Sequence, residues 1–94
     1  MPYVLVQIDV HDFAEFEAIF VGNADRRHQW GSKGGRVFQV TGDPKKCIVL
    51  LEWDDADRAQ DFIDSPEFRV AAEWAADGLT FKATVLNEVL QSDA

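Results

Sequence analysis

The amino-acid sequence predicts an α+β domain in which helices pack on a four-stranded antiparallel sheet, in the ferredoxin-like order βαββαβ. Three features of the chain support this prediction. Residues 31–53 have the pattern of a two-stranded hairpin in mid-chain. A strand and a helix precede the hairpin, and a helix and a strand follow it. The first and third strands are apolar on both faces, which is typical of central strands.

The first strand is predicted over residues 2–10, where β-branched and aromatic side chains dominate. One face of this strand is apolar throughout and consists of Val4, Val6, Ile8 and Val10. The other face begins apolar, with Tyr3 and Leu5, and becomes polar at Gln7 and Asp9. We therefore expect a central strand that is covered on both sides.

A helix is predicted from about Asp12, because Asp12 and Glu15 have the spacing of a capping box. Gly22-Asn23 is expected to kink or fray this helix, since glycine is a poor helix former, and Trp30-Gly31 to end it. Its inward face is predicted to be a stripe at helical spacing that consists of Phe13, Phe16, Phe20 and Ala24.

The hairpin is predicted to pair an edge strand with a central one. Gly34-Gly35 opens the second strand, Arg36–Thr41, in which polar and apolar residues mix. Asp43-Pro44 is expected to form the turn, because proline fixes its own φ and cannot donate to a strand ladder. The third strand, Lys46–Trp53, is apolar on both faces and is expected to be central.

The second helical segment is predicted to begin after Asp54-Asp55 and to restart at Ser65-Pro66, since serine caps a helix well and proline fits the first helical position. Gly78 is expected to end it in a left-handed conformation. The final strand is predicted over Leu79–Leu90, followed by a frayed tail. The inward residues are expected to be Ala59, Phe62, Ile63, Phe68, Ala71, Ala72 and Ala75.

Length and charge limit the classes of function. The 94 residues form a single domain, 1–94, and 17 acidic against 9 basic residues give a net charge of −8. This acidic surface excludes nucleic acid and anionic membranes as partners. Residues 1–10 have neither the basic region nor the long apolar run of a signal peptide, so a cytoplasmic location is expected. The single cysteine, Cys47, excludes an internal disulfide.

Two helical segments can cover only one face of such a sheet, and the opposite face still carries large apolar side chains. A soluble monomer rarely exposes a surface of this kind. We therefore expect a homodimer that packs sheet against sheet, with an interface on the order of 2,000 Å².

Five segments, YVLV, HDFAEFEAIF, GSKGGRVFQVTGDP, LEWDD and SPEFRVAA, occur in an order that resembles the dimeric α/β-barrel superfamily. They are most similar to the small antibiotic-biosynthesis-monooxygenase-like domains. The resemblance spans nearly the whole chain and implies a pocket between each monomer's sheet and its own helices. Relatives of this kind include cofactor-free monooxygenases of polyketide quinones, haem-degrading oxygenases, decarboxylases and isomerases, so the resemblance fixes the fold better than the activity.

Three basic side chains are candidate catalytic residues. His11 follows the first strand and is a possible general base, because histidine titrates at about pH 6.5. His28 and Arg27, with Arg26 beside them, could bind an anionic or enolate oxygen. The structural alternative for His11 is a loop residue that helps to cap the first helix. The structural alternative for Arg27 and His28 is a solvated helix end.

Aromatic residues are the candidate substrate-binding group: Trp30, Trp53, Phe62 and Trp74. Indole rings could line a pocket for a flat, apolar ligand, and each tryptophan is also suited to the core or to an interface, which is the commoner role of such residues.

No metal or other cofactor is predicted. The two histidines are 17 positions apart and no paired-cysteine spacing occurs. Haem-degrading relatives place a histidine iron ligand shortly after the SPEF-like segment, where this chain has Val70, Ala71, Ala72 and Glu73.

Two functions remain open from the sequence. The first is binding of a small aromatic or enolisable metabolite, with oxygenation by a cofactor-independent monooxygenase as the enzymatic form. In that reaction the substrate is deprotonated to an anion that reacts with O₂ in a dry cavity, with His11 or His28 as the base and Arg27 or a tryptophan N–H as the donor to the developing oxyanion. The second is a non-catalytic module for ligand binding or assembly.

Overall fold

The computed structural model describes all residues from 1 to 94 and has the predicted ferredoxin-like architecture. Its elements are β1 Pro2–Asp9, α1 Phe13–Gly22, α2 Ala24–Trp30, β2 Ser32–Val40, β3 Asp43–Trp53, α3 Ala56–Asp64, α4 Pro66–Ala76 and β4 Phe81–Asn87. The four strands form one antiparallel sheet in the order β2-β3-β1-β4. The prediction that the first and third strands are central is confirmed.

The hydrophobic core lies between one face of the sheet and the helices. In register, Val6 of β1 lies between Val49 of β3 and Ala83 of β4. Trp53, Val4 and Ala59 are completely buried. Because alternate residues of a strand point to opposite faces, the even-numbered positions of β1 form the floor of this core. None of the four helices has the length and apolarity that a membrane crossing requires.

The first helical segment is broken where the sequence predicts it. The Asp12 side chain caps α1 by accepting a hydrogen bond of 2.9 Å from the Ala14 N–H. The helix ends at Asn23, whose side-chain amide donates to the Ile19 carbonyl at 2.8 Å, and α2 begins at the next residue. Ala24 is exposed, contrary to its predicted place in the inward stripe, because it begins a new helix with a different direction.

The hairpin differs from the prediction in the position of its turn. The turn is Thr41-Gly42 and Asp43-Pro44 already belongs to β3, where Asp43 pairs with Val40. A bulge follows, since the next β2–β3 pair joins Gln39 to Cys47. A bulge tolerates proline because its residues need not donate to the neighbouring strand.

The second strand also begins earlier than predicted, at Ser32, so that Gly34 and Gly35 lie inside it. A Cβ atom on Gly35 would come within 2.3 Å of the Leu50 carbonyl oxygen. Glycine therefore allows the close approach of β2 to β3 at this point.

The second helical segment follows the prediction at its starts and departs from it at its end. The Asp55 side chain caps α3 by accepting from Asp57 N–H, and Ser65 caps α4 by accepting from Phe68 N–H at 3.1 Å. The first residue beyond α4 with a left-handed backbone is Asp77, with φ 48°, followed by Gly78. The final strand is shorter than predicted and ends at Asn87.

Candidate ligand-binding site

A cavity of about 100 Å³ lies between the helix-covered face of the sheet and the helices above it. Val6, Val49 and Leu51 of the sheet form its floor. Three small residues of α4 leave the space open on one side. The remaining lining residues are Phe16, Ile19, Phe20, Asn23, Arg26, Arg27, Trp30, Phe62, Glu67 and Phe68, with Ala71, Ala72 and Ala75 as the small residues.

The aromatic part of the lining is a connected cluster. The rings of Trp30 and Phe62 meet edge to face at 5.8 Å, and Phe62 lies 5.1 Å from Phe68. On the other side the rings of Phe16 and Phe20 are stacked at 5.9 Å. Because each ring is held by its neighbours, the cluster presents a firm apolar surface that suits a flat ligand.

Of the two arginines that line this cavity, Arg26 is exposed and Arg27 is the more buried cationic group. It is half-buried, its Nη1 donates a hydrogen bond of 2.7 Å to the Phe20 carbonyl, and its central carbon lies 3.8 Å from the Phe20 ring centre. Burial lowers the pKa of the Arg27 guanidinium. Arg27 belongs to neither of the chain's two ion pairs, which are His11–Asp77 and Arg58–Asp54.

A guanidinium carries five N–H donors, and Arg27 uses one of them in the hydrogen bond to Phe20. The break at Asn23 explains its placement. Arg27 lies one turn into α2, and from there its side chain reaches the Phe20 carbonyl in the last turn of α1. The arrangement is a half-buried cation with spare donors beside an apolar cavity, which is a suitable site for an anionic oxygen.

The structure does not bring either histidine to the cavity. His11 is exposed at the end of β1, where its Nε2 lies 2.9 Å from the backbone oxygen of Asp77. His28 is exposed in the last turn of α2, and its Nδ1 lies 3.3 Å from the Ser32 backbone oxygen. His28 follows Arg27 directly, and successive helical residues point about 100° apart, so only Arg27 lines the cavity.

The four candidate aromatic residues lie in three different places: the cavity lining, the core behind it and the outer surface. Trp30 and Phe62 line the cavity. Trp53 is completely buried behind them, where its ring lies 4.7 Å from Phe62 and its Nε1 donates to the Trp30 carbonyl at 3.2 Å. Trp74 lies on the outer surface of α4 with 73% of its area exposed. The cavity thus unites Arg27, Trp30 and Phe62 among the seven candidates.

Two polar lining residues, Asn23 and Glu67, were not singled out as site residues from the sequence, whereas Arg26 was expected beside Arg27 and His28. Arg26 and Glu67 are exposed as well as lining, so they lie at the mouth of the cavity. Glu67 is the one carboxylate of the lining. The sequence feature that could have pointed to these residues is the pair of helix breaks. Asn23 ends α1, and Glu67 immediately follows the break at Ser65-Pro66 where α4 begins.

Fold and cavity together define a small ferredoxin-like domain that holds an apolar, ligand-sized site between its sheet and its helices. The chain belongs to the family described as "Domain of unknown function (DUF1330)", which it matches over residues 2–89. No curated protein is significantly similar to it in sequence.

Solved structures of other proteins share the fold. SnoaB, a cofactor-independent oxygenase from Streptomyces nogalater, is 19% identical with a TM-score of 0.76, covering 99% of this chain and 97% of SnoaB. A proposed antibiotic biosynthesis monooxygenase from Bordetella bronchiseptica is 18% identical with a TM-score of 0.75 and coverages of 95% and 97%. A conserved protein from Methanosarcina mazei is 17% identical with a TM-score of 0.72 and coverages of 94% and 92%. The resemblance to antibiotic-biosynthesis-monooxygenase-like domains is confirmed at the level of the fold.

Proposed function

We propose that this chain is a homodimeric protein that binds a small, flat, anionic aromatic or enolised metabolite in the cavity between its sheet and its helices. The observation that carries the proposal is the Arg27 guanidinium, which is half-buried beside an apolar, aromatic lining and has no carboxylate partner.

The volume of the cavity limits the size of the ligand. An apolar protein cavity of about 150 Å³ binds benzene, and this one is about 100 Å³. The bound group is therefore about one ring in size, unless α1, α2 and α4 move apart. Apolar side chains of the lining would contact the faces of the ring, and Arg27 would contact its anionic oxygen.

The charge of Arg27 favours an anion over a neutral ligand. Burial disfavours the charged guanidinium, as the lowered pKa of Arg27 indicates. A bound carboxylate, phenolate or enolate would offset this penalty by its opposite charge and would accept hydrogen bonds from the unused N–H groups of Arg27. Hydrogen bonds between charged groups are roughly twice as strong as those between neutral ones.

The second candidate is cofactor-independent oxygenation, and Glu67 is the observation that favours it. Its side chain is the one carboxylate of the lining, and a carboxylate oxygen can accept a proton. Glu67 would take the substrate's proton, and Arg27 would stabilise the resulting enolate or phenolate. The anion would pass one electron to O₂, and the two radicals would combine into a peroxide at a ring or enolate carbon that still carries a hydrogen. The peroxide would take the proton back from Glu67 and lose water to leave a carbonyl group, so that O₂ supplies one oxygen atom to the product and one to water. SnoaB, which shares the fold, is named as an enzyme of this type. His11 and His28 lie outside this arrangement.

The homodimer is proposed through the uncovered face of the sheet. Leu5, Ile48 and Leu50 are half-buried at the centre of this face, and Phe38 is exposed beside them. The two longer dimensions of the domain are 35 and 33 Å. Two copies stacked on this face would bury on the order of 2,000 Å², as stable homodimers do.

The binding proposal is tested with benzoate and its neutral analogue benzamide, by calorimetric titration of the wild type, Arg27→Met and Arg69→Met. Arg69 is an exposed arginine of α4 outside the cavity and serves as the matched control. We expect the wild type and Arg69→Met to prefer benzoate, and Arg27→Met to lose that preference. Equal affinity of wild type and Arg27→Met for benzoate would overturn the proposal.

Oxygenation is tested separately by oxygen uptake with a panel of quinols and 1,3-dicarbonyls. Uptake that Glu67→Gln abolishes while ligand affinity is retained supports the enzyme. Uptake by no member of the panel, with anion binding intact, favours the non-catalytic binding protein.

A further inference from the structure

Trp74 lies on the outer surface of the helical layer, where nothing in the chain covers it. Its side chain is 73% exposed, and Val70, one turn earlier on the same face of α4, is 64% exposed. Tryptophan has the largest apolar surface of any residue, so this degree of exposure leaves an unusually large area in water. Exposed apolar patches of this kind mark interaction sites.

These side chains border a groove along the seam between α1 and α4. Two adjoining depressions, of about 770 and about 590 Å³, share Ala18, Ile19, Val70 and Trp74 and form one continuous channel. Alanine side chains, which project little above the backbone, line the channel on both helices. The eleven residues of α4 extend about 16 Å, which is the length of three helical turns.

The end of the groove beside Asp77 and Gly78 is acidic. Asp12 and Glu15 of the α1 side face Glu73 and Asp77 of the α4 side. No lysine or arginine lines this end, and its one basic group, His11, is 3.8 Å from the Asp77 carboxylate. Arg26 and Glu67 at the other end cancel in charge. A ligand surface that complements the groove is therefore basic.

We propose that this groove docks a basic, amphipathic helix of a partner protein. Its apolar side would lie on Val70 and the groove floor, with Trp74 as the anchor, since tryptophan is enriched among the residues that dominate binding energy. Lysine or arginine side chains on its flanks would meet Glu15 and Glu73.

The groove remains accessible in the proposed homodimer, because it lies on the helical side and the dimer uses the opposite face of the sheet. Ile19, Asn23, Arg26 and Glu67 belong both to the groove and to the lining of the ligand cavity. A docked helix would therefore cover the mouth of the cavity. The docking itself does not require the ligand.

The test uses two fluorescent 15-residue helical peptides with the same leucine face, one with lysine and one with glutamate on its polar face. Affinities are measured by fluorescence polarisation near physiological ionic strength, with the full chain as wild type, Trp74→Ala, Glu73→Lys and Asp61→Lys. Asp61 is exposed on α3 outside the groove, so Asp61→Lys makes the same change in net charge at another place.

We expect the wild type to prefer the lysine peptide by at least about tenfold, and Trp74→Ala to weaken its binding by about tenfold or more. Glu73→Lys should weaken it severalfold and Asp61→Lys by less than about twofold. Equal effects of Glu73→Lys and Asp61→Lys would reduce the binding to net charge and overturn the proposal. Unchanged binding in Trp74→Ala, or equal affinity of the wild type for the glutamate peptide, would also overturn the proposal. So would a wild-type oligomer that dissociates in Trp74→Ala, because the groove would then be occupied by a second copy of this chain.

Discussion

The Arg27 guanidinium lies over the ring of Phe20, with its central carbon 3.8 Å from the ring centre, and donates a 2.7 Å hydrogen bond to the carbonyl oxygen of that same residue. One residue of α1 thus holds the cationic group of α2 by two different contacts. The planar fork of arginine can keep this arrangement and still direct other N–H groups at a ligand.

Lysine cannot replace Arg27 in this role, although it keeps the positive charge. A single ammonium group cannot both bond the Phe20 carbonyl and bind a second acceptor in a fixed plane. We expect Arg27→Lys to weaken benzoate binding by about tenfold, the loss of one charge-assisted hydrogen bond. Calorimetric titration measures this, with Arg69→Lys as the control. Full affinity in Arg27→Lys would mean that charge alone suffices.

Replacing Gly35 and Gly22 by alanine should change the free energy of unfolding in opposite directions. A Cβ on Gly35 would meet the Leu50 carbonyl at 2.3 Å and the Leu51 side chain at 2.8 Å, so β2 would have to move away from β3. We expect Gly35→Ala to lower the free energy of unfolding by about 3 kcal/mol.

A Cβ on Gly22, at the end of α1, would meet nothing within 4 Å. Gly22→Ala should raise the free energy of unfolding by about 0.5–1 kcal/mol, because alanine loses less conformational entropy on folding. Urea unfolding of both variants measures whether the free energy of unfolding falls in Gly35→Ala and rises in Gly22→Ala. A Gly35→Ala protein as stable as the wild type would contradict the tight β2–β3 approach.

Trp53 supports the lining of the cavity from behind. Its indole N–H holds the Trp30 carbonyl at 3.2 Å, and its ring lies 4.7 Å from Phe62. Trp53→Phe loses the hydrogen bond and part of a completely buried ring, and should lower the free energy of unfolding by about 1–3 kcal/mol. Trp74→Phe is the matched control and should change it by less than about 0.5 kcal/mol. Similar values for both variants would contradict this account.

The order of the elements and the central strands could be predicted because periodicity and capping are local signals. Val4, Val6 and Ile8 alternate in the sequence, and Asp12 and Ser65 cap helices in the structure. The turn could not be placed in the same way. Asp43-Pro44 has a turn-like composition, but the bulge in β3 accommodates the proline within a strand.

The candidate site was predictable only in part, because lining a cavity depends on how helices are oriented. Trp30 and Trp74 are equivalent as residue types, yet one faces the cavity and the other faces solvent. Arg27 and His28 are neighbours in sequence, and the direction of α2 after the break at Asn23 selects the arginine. Periodicity could not reveal that direction, since it depends on packing against α3 and the sheet.

Cys47 should make stability depend on pH above neutrality. Burial, assisted by the carboxylates of Asp43 and Asp9, raises the pKa of the Cys47 thiol. The folded chain therefore holds this proton to a higher pH than the unfolded chain, whose thiol titrates at about 8.5. Stability is complete below that pH and falls as pH rises towards the folded-state pKa, by at most about 1.4 kcal/mol per pH unit for one proton.

The measurement is urea unfolding between pH 7.5 and 9.5 for wild type and Cys47→Ala. We expect a steeper decline in the wild type, since the variant has no thiol to titrate. Parallel curves would show that Cys47 does not contribute to the pH dependence.

The uncovered sheet face should lose its ability to self-associate when a charge is placed at its centre. Leu50 lies in register between Leu5 of β1 and Arg36 of β2. In a two-fold dimer, Leu50→Glu would bring two carboxylates into the same apolar interface, at a cost of several kcal/mol for each buried charge. Light scattering after size exclusion should give twice the chain mass of 10.6 kDa for the wild type and the single-chain mass for the variant.

Val21→Glu is the matched control for this change. Val21 is exposed on α1, on the helical side of the domain, and its replacement should leave the dimer intact. Because Leu50 is only half-buried within one subunit, Leu50→Glu should remain folded, which circular dichroism verifies. A wild type that elutes as a folded single chain at micromolar concentration would refute the dimer. The apolar residues Leu5, Ile48 and Phe38 would then face water with nothing to cover them.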